Sequence, residues 1–189
     1  MSALDALRFP IGSFEPVIAP SSQQREDWIG QIPELSGKLQ SVLSHFQKEQ
    51  LDVPYRPEGW TVRQIVHHLA DNDMNAYIRF KRALTEQEPL ASSYREDLWA
   101  ELPDYMDLTI GHSVSLMELL HHRFYRLLLN LTPMDFRRTM RTEVLGTITL
   151  DTALQRFIWH HRHHTSQVAA FAARINRDQS TTIKPERTS

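Results

Sequence analysis

The sequence predicts an all-α protein: a four-helix bundle with a short β-hairpin before the last helix. Three observations carry this expectation. Glycine is scarce, six residues in 189, and the ten prolines fall mostly between long segments rather than inside them, which is how well-marked helices are punctuated. Four long segments repeat apolar residues at helical spacing. Only residues 139–149 depart from that pattern, with β-branched residues flanking Gly146, as in a short hairpin.

The opening run Arg8-Phe9-Pro10-Ile11-Gly12-Ser13-Phe14, followed by Pro16 and Pro20, cannot hold a regular helix and reads as an extended arm that lays aromatics on the body. Ser21 or Ser22 suits the cap of a first helix reaching about Lys48. Its apolar stripe is Ile29, Ile32, Leu35, Leu39, Val42, Leu43 and Phe46, and Pro33 and Gly37 predict a kink or a split within it. A proline-rich connection from Leu51 to Trp60 ends at Thr61. That threonine is a natural N-cap for a second helix through Val62, Ile65, Val66, Leu69, Asp73, Ala76, Tyr77 and Phe80 to about Leu84.

Residues 85–105 read as a polar connector with one short helical turn near Asp97 to Ala100. The third helix, roughly Leu108 to Leu131, carries Val114, Leu116, Leu119, Leu120, Phe124, Leu127 and Leu128, and Thr132-Pro133 stops it. After the hairpin, the fourth helix starts at Leu150 or Asp151 and runs through Leu154, Phe157, Ile158, Val168, Phe171 and Ile175. Residues 1–177 are expected to form a single domain with its arm, and 178–189, polar and aperiodic, a disordered tail.

Composition narrows the chemistry. With no cysteine, disulfides and thiolate metal sites are excluded, so a soft-metal site must use imidazole and carboxylate, and thiol chemistry must use a thiol from outside. Lys and Arg number 21 against 23 Asp and Glu, for a net charge of −2, which argues against nucleic acid or an anionic membrane as partner. Apolar runs are too short for a signal peptide or a membrane span, and a cytoplasmic location is expected.

The ten histidines are the distinctive feature. His67-His68 fall on the second helix, His121-His122 on the third, and His160-His161 with His163-His164 on the fourth. An i, i+4 pair projects two imidazoles from one helix face, so His160 with His164 can clip one cation, and a facing helix can add His67 or His68. Three protein nitrogens leave a position open for water or substrate, the arrangement of a catalytic site. At about 100° per residue, His161 and His164 lie nearest the apolar centre of the fourth helix, His160 lies at its edge and His163 points away. Both the 161/164 and the 160/164 pairs stay open on periodicity, as does the choice between His67 and His68. His121 and His122 suit a surface or supporting role better than ligation, and His45 and His112 look incidental.

Longer motifs add a resemblance. Pro54-Tyr55-Arg56-Pro57-Glu58-Gly59-Trp60-Thr61-Val62-Arg63-Gln64-Ile65-Val66-His67-His68-Leu69-Ala70-Asp71, then Met74-Asn75-Ala76-Tyr77-Ile78-Arg79-Phe80-Lys81, resemble the YfiT-like branch of the DinB superfamily. So do Pro10-Ile11-Gly12, Leu98-Trp99-Ala100-Glu101-Leu102 and Trp159-His160-His161-Arg162-His163-His164. The likeness spans about residues 8–175 and implies a DinB-like bundle holding one divalent metal per chain, zinc or nickel, on three histidines. In that family the first ligand stands eight residues after the tryptophan that opens the second helix, here His68 after Trp60, with the i, i+4 pair of the last helix falling on His160 and His164. His67 is the alternative on the second helix.

The family is described as metal-dependent hydrolases, and related members transfer thiols such as bacillithiol onto electrophiles. The expectation is therefore a metal-dependent thiol S-transferase, with a hydrolase or a non-catalytic metal-binding bundle as alternatives. Its partners would be a small thiol, a small electrophilic substrate and a second copy in a homodimer. Asp71, Asp73, Asn75 and Arg79 are candidates to support the ligands or touch substrate. Two family patterns differ here: a His-Met-Asn is Asp73-Met74-Asn75, and a His-Pro-Glu in the hairpin is Arg141-Thr142-Glu143.

Overall fold

The computed structural model describes residues 3–182, with side chains from Leu4 to Arg177. In chain order the elements are α1 (Ala3–Arg8), α2 (Ser22–Leu43), a 3-10 turn (Lys48–Asp52), α3 (Val62–Thr85), α4 (Glu96–Trp99) and α5 (Pro103–Asp107). There follow α6 (Ile110–Leu128), α7 (Pro133–Phe136), β1 (Thr139–Thr142), β2 (Gly146–Thr149) and α8 (Leu150–Thr182). The fold is the four-helix bundle the periodicity predicts, with the hairpin directly before the last long helix.

Local chemistry sets the ends of these helices. Ser21 and Thr61 each accept a hydrogen bond from the backbone of the residue three positions on, while Gln24 and Gln64 reach back to the cap residue's own N–H, closing two capping boxes. Pro33 sits inside α2 without dividing it, so the predicted split is absent. The expected arm begins only after α1, a short helix that its brief apolar pattern did not reveal. α8 covers 178–182, where the tail was expected to begin, and the remainder of that expected tail, 183–189, lies outside the described residues.

Around the bundle the order is α2, α6, α3, α8. Each of α2 and α3 packs on both α6 and α8, so the consecutive long helices α2 and α3 stand diagonally opposite. The core divides in two along the axis. One half gathers Ile29, Ile32, Leu35, Phe80, Phe124, Leu128, Leu150, Leu154 and Phe157; the other gathers Leu39, Leu43, Val62, Ile65, Leu69, Met117, Val168 and Phe171. Between them, on each long helix, the buried residues are polar: Ser36 on α2, His68 and Asp73 on α3, His121 on α6, and His161 and His164 on α8.

The inner face of α6 corrects the sequence expectation. Val114, Met117, His121, Phe124 and Leu128 point inward, while Leu116 and Leu119 are exposed at 37% and 66%. A stripe counted over apolar residues alone drifts off this face, because one of its inward positions is a histidine.

The hairpin pairs Thr139 with Thr149 and Thr142 with Gly146, and Gly146 takes the positive φ its turn requires. It is anchored to the bundle by Arg138, whose guanidinium donates to the carbonyls of Ala83 and Glu86 at the end of α3 (2.6 and 3.1 Å). There a cation also meets the negative end of the helix dipole. The N-terminal arm lies along α8. Val17 exchanges backbone hydrogen bonds with the Gln155 amide (2.8 and 3.1 Å), Phe14 packs on Trp159, and Phe9 packs on His163.

Candidate metal centre

α3 and α8 face each other with histidines between them. His68, His160 and His164 each turn one ring nitrogen toward a common point, and these atoms lie within 4.8 Å of one another. The His68 and His160 Nε2 atoms are 3.3 Å apart. His160 and His164 meet edge to face, their ring centres 4.6 Å apart, because i, i+4 residues stack along one helix face. Trp60 closes over this group, its ring 4.7 Å from that of His68 and 6.3 Å from that of His164.

His67 is also buried but faces the other way. Its Nδ1 pairs with the Ser113 hydroxyl on α6 at 2.8 Å and its ring packs on Tyr105. The structure therefore brings His68, and not His67, to the pair on α8, and it brings His160 rather than His161. Periodicity could decide neither choice. His163, expected to point away from the core, is only 7% exposed, since Trp159 stacks on it and Phe9 of the arm covers it.

Electrostatics keep these imidazoles neutral. Burial pushes His68 down to about 4. His160 and His164 are held well below 6.5, first by burial, and then His160 by His164 and His68, and His164 by His68 and His163, because a second charge in that space is repelled. Neutral rings with free lone pairs are the form that binds a metal. Among the described residues the Nδ1 atoms of His68 and His160 have no hydrogen-bond partner, and no carboxylate joins the cluster. Converging lone pairs without enough protons between them repel one another, and a divalent cation is what such a donor set fits.

Gln167 orients one of the rings. Its Oε1 accepts from His164 Nδ1 (2.8 Å), which turns the Nε2 lone pair toward the cluster. Its amide nitrogen donates to His163 Nε2 (2.9 Å) and to the Arg8 carbonyl (2.8 Å). The hydrogen bond that fixes this tautomer is thus linked to the docking of the arm, a support of the kind that tunes a ligating histidine. A glutamine one turn beyond the histidine pair was the signal available in the sequence.

His160 also lines a cavity of about 480 Å³ together with Asn72, Arg79, Tyr94, Glu96 and Arg156, and Phe80, Met140 and Phe157 give it apolar walls. Burial lowers Arg79 and Arg156 from their ordinary value and raises the carboxyl of Glu96. Of the polar candidates on the second helix, only Arg79 lines this cavity, donating to the Ser92 carbonyl from its rim. Asp71 accepts from the Tyr105 hydroxyl (2.6 Å) and so ties α5 to α3. Asn75 donates to the Asp71 carbonyl on its own helix (2.8 Å), and Asp73 pairs with His121 (2.8 Å). Sequence reasoning passed over Arg156. It stands one turn before His160 on α8, and that spacing was its only signal.

The sequence profile of the DinB superfamily matches residues 31–168. This chain belongs to the DinB superfamily. It is 41% identical over 170 residues to a Bacillus mycoides (strain KBAB4) protein that carries the provisional name metal-dependent hydrolase, covering 90% of this chain and 98% of that one. A Bacillus cereus (strain 03BB102) protein with the same provisional name is 40% identical over 173 residues, covering 92% and 99%. Among solved structures, YfiT from Bacillus subtilis, provisionally described as a metal-dependent hydrolase with an unusual four-helix bundle topology, superposes with a TM-score of 0.88. It is 40% identical and covers 90% of this chain and 98% of its own. No helix among the described residues is long and apolar enough to cross a membrane.

Proposed function

We propose that this DinB protein is a metal-dependent enzyme in which His68, His160 and His164 hold one divalent ion, zinc or nickel, and that it transfers a small thiol onto an electrophilic substrate. The observation that carries the metal assignment is the convergence of three neutral imidazoles, one of which, His160, lines the cavity. When bound, such an ion acidifies a coordinated thiol or water at neutral pH. The chain's own residues do the rest. Gln167 fixes the His164 ring, Trp60 shields the histidines, and Phe80, Met140 and Phe157 keep water from the substrate. Arg79 and Arg156 suit an anionic group on the thiol or its acceptor.

In the transfer, sulfur forms its bond to the electrophilic carbon as the leaving group departs with the bonding pair, and the thiol proton passes to solvent. The resemblance to thiol-transferring DinB members supports this choice of nucleophile. Hydrolysis by water is the second reading, favoured by the provisional names of the relatives.

Bacillithiol and monochlorobimane separate the two, with metal-free protein and an ester substrate as controls. Metal-dependent conjugation is expected, with Arg156→Gln raising KM for the acidic thiol. Conjugation no faster than the uncatalysed rate, across several thiols, would sink the transferase reading, and ester turnover without thiol would favour the hydrolase. A homodimer belongs to the same proposal and is read directly by sedimentation.

A further inference from the structure

The polar layer holds a second constellation. We infer that Asp73, His121 and His161, where α3, α6 and α8 meet on the bundle axis, form a separate site for a divalent first-row transition ion. This inference does not rest on the thiol-transfer reading.

Three observations support it. The donor atoms lie within 4.8 Å of one another: Asp73 Oδ2 is 2.8 Å from His121 Nε2 and 3.6 Å from His161 Nε2. Donors sharing a tetrahedral ion through bonds of about 2.0–2.1 Å stand about 3.3 Å apart, so modest movement seats them on one ion. The side chains are each 1% exposed and sit between the two apolar halves of the core. The Asp73 carboxylate there has no lysine or arginine partner among the described residues; it accepts only from His121 and, at 3.5 Å, from Asn72. A buried carboxylate calls for a cation.

The third observation is His161. Among the described residues neither of its ring nitrogens has a hydrogen-bond partner, and 3.6 Å to Asp73 is too long for a hydrogen bond. A hydrogen-bonded Asp73–His121 pair accounts for two of these residues and leaves the third orphaned in the core. One ion accounts for all three. Two imidazoles and a carboxylate suit zinc, iron(II) or manganese. None of the three residues lines the cavity, so this ion would tie three helices together rather than turn over substrate.

The test counts metal. Chelator-stripped protein, prepared without a metal-affinity column, is titrated with zinc and read by native mass spectrometry. Two ions per wild-type chain are expected, falling to one in Asp73→Asn and, independently, to one in His160→Ala. His161→Gln, which leaves α3 untouched, should match Asp73→Asn and serves if that variant does not fold. One ion in the wild type, lost in His160→Ala and kept in Asp73→Asn and His161→Gln, would overturn the second site. So would a second ion unaffected by Asp73→Asn, which would be adventitious binding to surface histidines. A single ion lost in Asp73→Asn but kept in His160→Ala would uphold this site and fail the three-histidine centre.

Discussion

Acidification from pH 7 to 5 should weaken the metal-free protein by several kcal/mol, because its central histidines must stay neutral to stay buried. Burial holds His68 and His161 at about 4, against an ordinary 6.5. In the unfolded chain these rings take up protons as the pH falls through 6.5, whereas in the folded chain they do so only near 4. Across that window the unfolded state binds more protons, so stability falls as the pH falls. For one ring moved from 6.5 to about 4 the loss between pH 7 and 5 is about 2 kcal/mol, and about 4 kcal/mol for the two.

His160 and His164 act in the same direction. Asp71 and Glu96, whose carboxyls burial raises, oppose the trend by taking up protons first in the folded state. Urea unfolding of chelator-treated protein at pH 7, 6 and 5, followed by circular dichroism, reads the effect. Adding zinc should raise stability at pH 7 and lose that effect in acid, since binding competes with protons. A loss of under about 1 kcal/mol from pH 7 to 5 would refute the reasoning, because it would mean that the folded chain takes up protons on these rings nearly as readily as the unfolded one, which rings confined in a dry core do not.

Two further outcomes follow from the packing. Gln167→Ala frees the His164 ring and the arm's anchor at Arg8 together, and should weaken metal affinity about 10- to 100-fold by calorimetry without abolishing binding; an unchanged affinity would show that the ring is held by α8 alone. Phe124 packs edge to face on Phe80 and Phe157 and is 1% exposed. Phe124→Ala should cost about 3–5 kcal/mol in denaturant unfolding while metal stoichiometry is kept, and a cost below about 1 kcal/mol would mean that this half of the core collapses to fill the space.

The helices were legible because each is self-contained in sequence. Thr61 with Gln64 marks the start of α3, and Thr132-Pro133 marks the stop of α6, since caps act over only a few residues. The inward face of α6 was less legible. A hydropathy stripe scores His121 as outward, yet Asp73 on α3 holds it in the core. The same limit hid the shelter of His163, whose cover comes from Phe9, far away in the chain.

For the candidate site, the sequence by itself determined that imidazole nitrogens would be the soft donors, since there is no cysteine, and that they would sit on facing helices. Family likeness, and not spacing, singled out His68, His160 and His164. Only the tertiary structure decided which rings converge. Adjacent helical residues diverge by about 100°, so His67 turns to Ser113 while His68 turns to His160. In the same way His160 meets the cavity while its neighbour His161 meets Asp73 on the bundle axis. Those destinations depend on how α3, α6 and α8 are rotated and placed, and packing of the two apolar halves above and below the polar layer sets that rotation.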